Sequence, residues 1–279
     1  MKRRRIINVS ISWVIIILTL IVVFFPIYWL ILTAFKQEWA IFHDPPIFLP
    51  IANTLDNVKN TLFGTKDIQP AYKFILNSLI IAFGNMLLVV VVGFFAAYSI
   101  ARFKTGGNSL ATWILSNRYL PPIVFVLPLF IIFRFLKLTD THIGLIWAYC
   151  LFNIPFAVWF MIGFIRDAPV ELEEAALVDG CGRMGAIFRV LVPIILPGLA
   201  VTALFTFIFA WNEYLFALQL AGNKVVTLPV YLPRLRGAHD VLYGQMSSAA
   251  VMSVLPAVIL AFLLQRYLVR GLTLGALKE

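Results

Sequence analysis

Apolar residues along this chain gather into six long blocks separated by short polar intervals. A membrane's hydrocarbon core, about 30 Å thick, is crossed by about 20 apolar residues in helical conformation. The blocks predict membrane-spanning helices over Ser12–Ala34, Phe74–Ala101, Leu110–Phe135, Ile143–Ile165, Leu199–Leu220 and Met246–Tyr267. The expected fold is therefore all-α, a polytopic membrane protein with six transmembrane helices. A polar stretch, Lys36–Lys73, carries "DPP" and "TLDNVKNTLFGTKD" and is expected to be a partly ordered external loop. The expected organisation is a tail, first helix and external loop (1–73), a five-helix core (74–268) and a C-terminal tail (269–279).

Composition agrees with that pattern. Hydrophobic residues make up 62% and charged residues 13% of the chain, about half the charge of an ordinary soluble domain. Mean hydropathy is +0.95. The net charge of +9 does not indicate nucleic acid, because the basic residues sit singly or in small groups with no face to track a phosphate backbone. Lys and Arg placement instead sets membrane orientation. With the N-terminus inside, the cytoplasmic parts collect Lys2–Arg5, Arg102, Lys104, Arg166, Arg183, Arg189, Arg266, Arg270 and Lys278. The N-terminal cluster decides the modest imbalance, so both termini are expected to be cytoplasmic. The apolar run Ile11–Phe35 exceeds a signal-peptide core of about 7–15 residues, and an uncleaved first span is expected. Cys150 and Cys181 fall in a span and a polar interval, and no disulfide is expected.

Several spans contain polar residues: Asn77 and Asn85 in the second, Arg118 with Pro121, Pro122 and Pro128 in the third, Asn153 in the fourth, Asn212 and Glu213 in the fifth. Intramembrane polar groups are costly unless they face a bundle interior or a wet cavity. Each reads either as glue between helices or as part of a polar path. Their spread over four spans favours a transporter or channel over a passive anchor, with Asn77, Asn85, Asn153, Asn212 and Glu213 as candidates for the path. Glu213, between Trp211 and Tyr214, reads either as a wet carboxylate in an aromatic belt or as a path residue. Arg118 is expected to snorkel to the interface.

The interval "DAPVELEEAALVDGCGRMGAIFRVLVPIILPG", Asp167–Gly198, is too polar for lipid. Asp167 is a fitting N-cap, Pro169 suits a first helical turn, and Glu171, Glu173 and Glu174 complement the helix dipole. Gly180 stands where a left-handed residue would end the helix. A short helix is expected over Ala168–Asp179, with Leu172, Ala175, Ala176 and Asp179 on one face. Met184, Ile187, Phe188 and Leu191 then form an amphipathic stripe, with Pro193 and Pro197 expected to close that helix before the fifth span. An acidic, glycine-cornered helix pair suits docking to a cytosolic protein better than resting on an anionic leaflet.

"EAALVDG", followed nine residues later by "VLVP", resembles the E-A-A loop of ABC-importer membrane subunits. Glu174, Ala175, Ala176, Gly180 and Pro193 match that pattern, while Val190 and Val192 replace its Ile and Leu. "NSLIIAFGN", "AAYSIARF", "LPPIVFVLPLF", "FAWNEYLFAL", "TLPVYLP" and "GLTLGALK" are similar to the carbohydrate-uptake branch, the maltose-permease G-type subunit. The resemblance implies a type I importer transmembrane core over 74–268, with the loop 167–198 inside it. It also implies a coupling helix (Leu172, Glu174, Ala175, Ala176, Asp179, Gly180, with Pro193), seated in a cytosolic ATPase. A second homologous permease, two ATPase subunits, an extracytoplasmic solute-binding protein, a sugar and membrane lipid are the implied partners, in a bacterial or archaeal inner membrane. The chain has no G-x-x-x-x-G-K-[ST] sequence, so ATP is expected on partner subunits and no cofactor on this chain. His43, His142 and His239 lack metal-site spacing, and no catalytic motif supports an enzyme. The other reading is an ATP-independent secondary transporter or channel.

Overall fold

The computed structural model describes residues 2–66, 68–236 and 242–276, with side chains between 12 and 267 apart from Asn108. His239 and the side chains of Lys2–Arg5, Arg270 and Lys278 lie outside that range. Among the described residues there is no strand beyond an isolated bridge between Lys36 and Asn53. The long helices are α1 (Lys2–Phe35), α4 (Ala71–Phe103), α7 (His142–Asp167), α10 (Val192–Trp211) and α13 (Tyr243–Ala276). Shorter helices are α2 (Glu38–Ile41), α3 (Asp56–Phe63), α5 (Gly107–Ser116), α6 (Ile123–Phe135), α8 (Val170–Val178), α9 (Arg183–Ala186), α11 (Leu215–Leu220) and α12 (Leu228–Tyr231). Among the described residues, five helical stretches are long and apolar enough to cross a membrane, and a sixth if the bent pair Ser109–Tyr119 and Ile123–Phe135 is one span.

The chain divides into two compact units, one of Met1–Tyr72 with Leu232–Val254, the other of Lys73–Tyr231 with Leu255–Glu279. In the first unit the most apolar stretch of α1 is unburied, and Trp13 to Phe25 present their side chains outward. The stretch Trp13–Phe25, apolar but for one threonine and unburied, is built for lipid or a partner helix. Its end is anchored by Lys36, 2% exposed. The Lys36 ammonium sits 4.2 Å above the Trp29 ring and donates to the Ile47 carbonyl. Asn57 donates to the Lys36 carbonyl at 2.7 Å, and Ser248 of α13 donates to the Ala34 carbonyl. The expected external loop is thus ordered up to α3.

In the second unit α4, α7 and α10 build the core. Phe94, Ala97 and Ile100 of α4 meet Val158, Met161 and Ile165 of α7 and Leu191 and Ile195 of the α9–α10 stretch. Gly198 permits close approach, because a Cβ there would lie 2.3 Å from the Phe164 ring.

Several local expectations are corrected. The third span is not one helix: α5 and α6 are bent by 93° at Leu120–Pro122. Leu120 is extended (φ −70°, ψ 133°), as steric exclusion before proline demands, and the two prolines lack N–H donors. The helix opened by Arg183 does not stop at Pro193 or Pro197 but runs to Trp211. A π-helical turn at Ile187–Leu191, with the Val192 N–H bonded to the Ile187 carbonyl, widens the helix just before Pro193 and relieves its clash with the preceding turn. That turn also splits the expected stripe, burying Ile187 and Leu191 and leaving Met184 and Phe188 exposed. Asp167 is the last residue of α7, not an N-cap, and α8 begins after the extended Ala168–Pro169. The predicted fifth span likewise ends early, at Trp211, with α11 separate.

Candidate functional site

The α8 corner is assembled from one side of a short helix. Gly180 has φ +87°, the left-handed conformation expected after α8, and the Cys181 N–H bonds back to the Ala176 carbonyl. Leu172, Glu174, Ala175 and Asp179 are exposed and Ala176 is half-exposed. Val170, Leu177 and Val178 are exposed as well. So much apolar surface on nine residues is an interaction face rather than a solvated one. Pro193 is not on this face; it stands in the first turn of α10, beyond the π turn.

Glu173, which the sequence reading used only as a dipole charge, is the one buried residue of α8. Its Oε1 accepts from Arg102 Nε at 2.7 Å and meets Arg102 Nη2 at 2.6 Å. Its Oε2 accepts from the Tyr98 hydroxyl at 3.0 Å. Arg102 also donates to the Ala168 carbonyl at 2.9 Å. Removing one partner of a buried pair strands the other charge and costs about 3–5 kcal/mol. Across the corner, the Arg183 guanidinium lies 4.8 Å from the Phe103 ring centre. The signal for this cluster was present: Tyr98 and Arg102, four apart in "AAYSIARF", share one face at the end of α4.

A second feature lies among α7, α10, α11 and the turn after α5. Asn153, Asn212 and Glu213 line a cleft of about 350 Å³ together with Arg118, Tyr149, Phe152, Phe209 and Phe216. Glu213 accepts from the Phe216 N–H at 2.9 Å and the Ala217 N–H at 3.1 Å, so it caps α11 while bordering the cleft. The Tyr149 hydroxyl is buried and faces Glu213 without meeting hydrogen-bond geometry. Arg118 lies against aromatic rings at this cleft. Its guanidinium lies 4.9 Å from the Phe156 ring centre and 4.7 Å from that of Phe209, where each aromatic face contributes about 0.5–2 kcal/mol.

The other two path candidates do not line this cleft. Asn85 is fully buried, donating to the Ile146 carbonyl at 2.9 Å and accepting from Asn153 at 2.7 Å. Asn77 Oδ1 accepts from His142 Nε2 at 2.9 Å, and its amide nitrogen donates to the Val226 carbonyl at 3.0 Å. Both residues join α4 to neighbouring segments. Close to Asn77, Asp140 organises the loop after α11, accepting from the N–H groups of Gly222, Asn223, Lys224 and Val225 at 2.9–3.2 Å. Burial pushes the Asp140 carboxyl up, and those four donors outweigh it, holding it below the usual carboxylate range.

Residues 89–274 match the family described as the binding-protein-dependent transport system inner membrane component. This chain belongs to that family of permeases. An ABC transporter permease protein of Streptomyces antibioticus is 38% identical, over 83% of this chain and all of that one. The trehalose/maltose transport system permease protein of Thermococcus litoralis is 33% identical over 94% of each chain. The sulfoquinovosyl glycerol transport system permease protein of Agrobacterium fabrum is 32% identical, over 91% of this chain and 88% of that one. The crystal structure of a bacterial ABC transporter importing the acidic polysaccharide alginate shares the fold, with a TM-score of 0.79, 19% identity and 96% of this chain covered. As a permease of this family, the chain is a multi-pass membrane protein.

Proposed function

We propose that this permease is the membrane-spanning subunit of an ATP-driven carbohydrate importer, in which α8 receives the movement of a cytosolic ATPase. The observation that carries the reading is α8 itself, with a matching E-A-A sequence, an exposed apolar and acidic outer face and one buried side chain. A second permease completes the path, two ATPase subunits bind the nucleotide, and an extracytoplasmic solute-binding protein delivers the sugar. The chain itself then carries no cofactor and hydrolyses nothing. Both termini and α8 lie on the cytoplasmic side, and the remaining surface of the spans faces lipid.

The cleft supplies the chemistry of a saccharide path. Phe152 and Phe209 offer ring faces, and Asn153, Asn212 and the Arg118 guanidinium offer polar atoms to hydroxyl groups. A largely aromatic wall with a few placed polar groups is the usual make-up of a small-molecule site. Transport then follows from alternating access: closure of the ATPases shifts α8 as a rigid body, and the helices rock to turn the path from one side to the other.

The test is reconstitution in proteoliposomes with the genomically linked permease, ATPases and binding protein, followed by uptake of labelled oligosaccharides. ATP-dependent, binding-protein-dependent uptake is expected. Uptake by this chain without an ATPase, driven by an ion gradient, would instead favour a secondary transporter.

A further inference from the structure

Resting on that reading of α8, we propose that Glu173 is a positioning residue for coupling. Held by Arg102 and Tyr98, it fixes the rotation of α8 about its axis and transmits the displacement of α8 to α4.

Three observations carry this. Glu173 is the sole buried residue of α8, so its carboxylate is a side-chain route by which a force on α8 enters the core. Both carboxylate oxygens are held from α4, Oε1 by Arg102 at 2.7 Å and Oε2 by Tyr98 at 3.0 Å, one helical turn apart. Arg102 also grips the Ala168 carbonyl in the linker ahead of α8, so one guanidinium holds the linker and the helix together. Beside these three, the Arg183 contact with Phe103 fastens α9, on the other arm of the corner, to the same end of α4.

Why a charged contact is suited to this role follows from its geometry. Apolar burial is non-directional, whereas directed bonds to two oxygens resist rotation as well as separation. Residues 173 and 174 stand about 100° apart on a helix. A rotation that released Glu173 would therefore turn Glu174, Ala175 and Asp179 away from the exposed face. Tyr98 and Arg102 belong to the helix whose Phe94, Ala97 and Ile100 pack into the core of the unit. A displacement of α8 that keeps these bonds has to move α4.

The experiment uses the assembled importer in proteoliposomes and reads ATP hydrolysis and substrate uptake in the same preparation. Glu173→Gln preserves side-chain shape and removes the charge. The ATPases should still co-purify, and uptake should fall about tenfold while hydrolysis stays within about twofold, raising the ATP consumed per substrate. The exchange Arg102→Glu with Glu173→Arg should return most of that ratio. Tyr98→Phe, which removes a single hydroxyl, should raise it about threefold and decides the matter if Glu173→Gln lowers membrane levels. A purely structural role would reduce uptake and hydrolysis together, in proportion to protein present. That result, or an unchanged ratio in all three variants, would overturn the proposal. Glu174→Lys serves as the comparison. If it releases the ATPases while the Glu173→Gln ratio stays at the parent value, the tether alone is wrong. If Glu174→Lys also keeps ATPase binding and transport intact, the coupling reading fails and takes the tether with it.

Discussion

Adjacent glutamates on α8 meet opposite surroundings: Glu173 is 6% exposed and bonded to Arg102 and Tyr98, while Glu174 is exposed. The E-A-A pattern points to the outward carboxylate, and nothing in that pattern marks the inward one. Its partners lie about 70 residues earlier in the chain, a separation no local periodicity spans. Gly180 was more legible, because a left-handed residue after a short helix needs only local sequence to be foreseen. No atom would touch a Cβ added at Gly180, so a substitution there is penalised by the backbone alone. Gly180→Val is expected to abolish most transport and Gly180→Asn to retain most of it, since asparagine tolerates φ > 0 and β-branched residues do not. Uptake assays at matched membrane levels check this; equal activity in the two variants would contradict it. Asp140 gives a pH prediction. Its carboxyl is held below the ordinary range in the folded protein, so its contribution is complete above the unfolded value of about 3.9 and is lost as pH falls through the folded value. Thermal unfolding in detergent from pH 7 down to acid should show a loss of stability at low pH that Asp140→Asn lacks.

At the scale of elements, the six apolar blocks were plain because their lengths match a bilayer, but the joints within them were not. The Leu120–Pro122 bend was marked by "LPP", yet hydropathy averages straight across it. Pro193 and Pro197 carried the opposite risk: proline alone reads as a stop, and only the π turn at Ile187–Leu191 reveals that the helix continues. The polar residues divided in the same way. Asn153, Asn212 and Glu213 border the cleft, whereas Asn77 and Asn85 hold helices to neighbouring segments, a distinction that composition of a span does not carry. For α8, bulk on the exposed face should prevent seating in an ATPase groove. Ala176→Trp is expected to weaken ATPase association by a factor of about 5–150, corresponding to the 1–3 kcal/mol typical of overpacking. Co-purification measures it, and undiminished recovery of the ATPase would contradict it.

At the scale of the whole molecule, a chain with 62% hydrophobic residues exposes long apolar helices that bury little within their own unit, α1 above all. The membrane accounts for that surface, and the family places the chain among permeases. Orientation is a separate matter, carried by the basic N-terminus. Single cysteines at Lys59 and Asn223 should react with an impermeant thiol reagent from outside, and cysteines at Thr105 and Met184 only after the inner face is opened. These labels use a parent in which Cys150 and Cys181 have been replaced. On the proposed reading, movement of an ATPase enters this permease through α8. ATP-driven uptake in proteoliposomes containing the parent or Ala176→Trp at equal protein density, with ATPase recovery read in parallel, measures this. Ala176→Trp should lose ATPase and uptake together while remaining in the membrane at parental level. Parental uptake and ATPase recovery in that variant would contradict it.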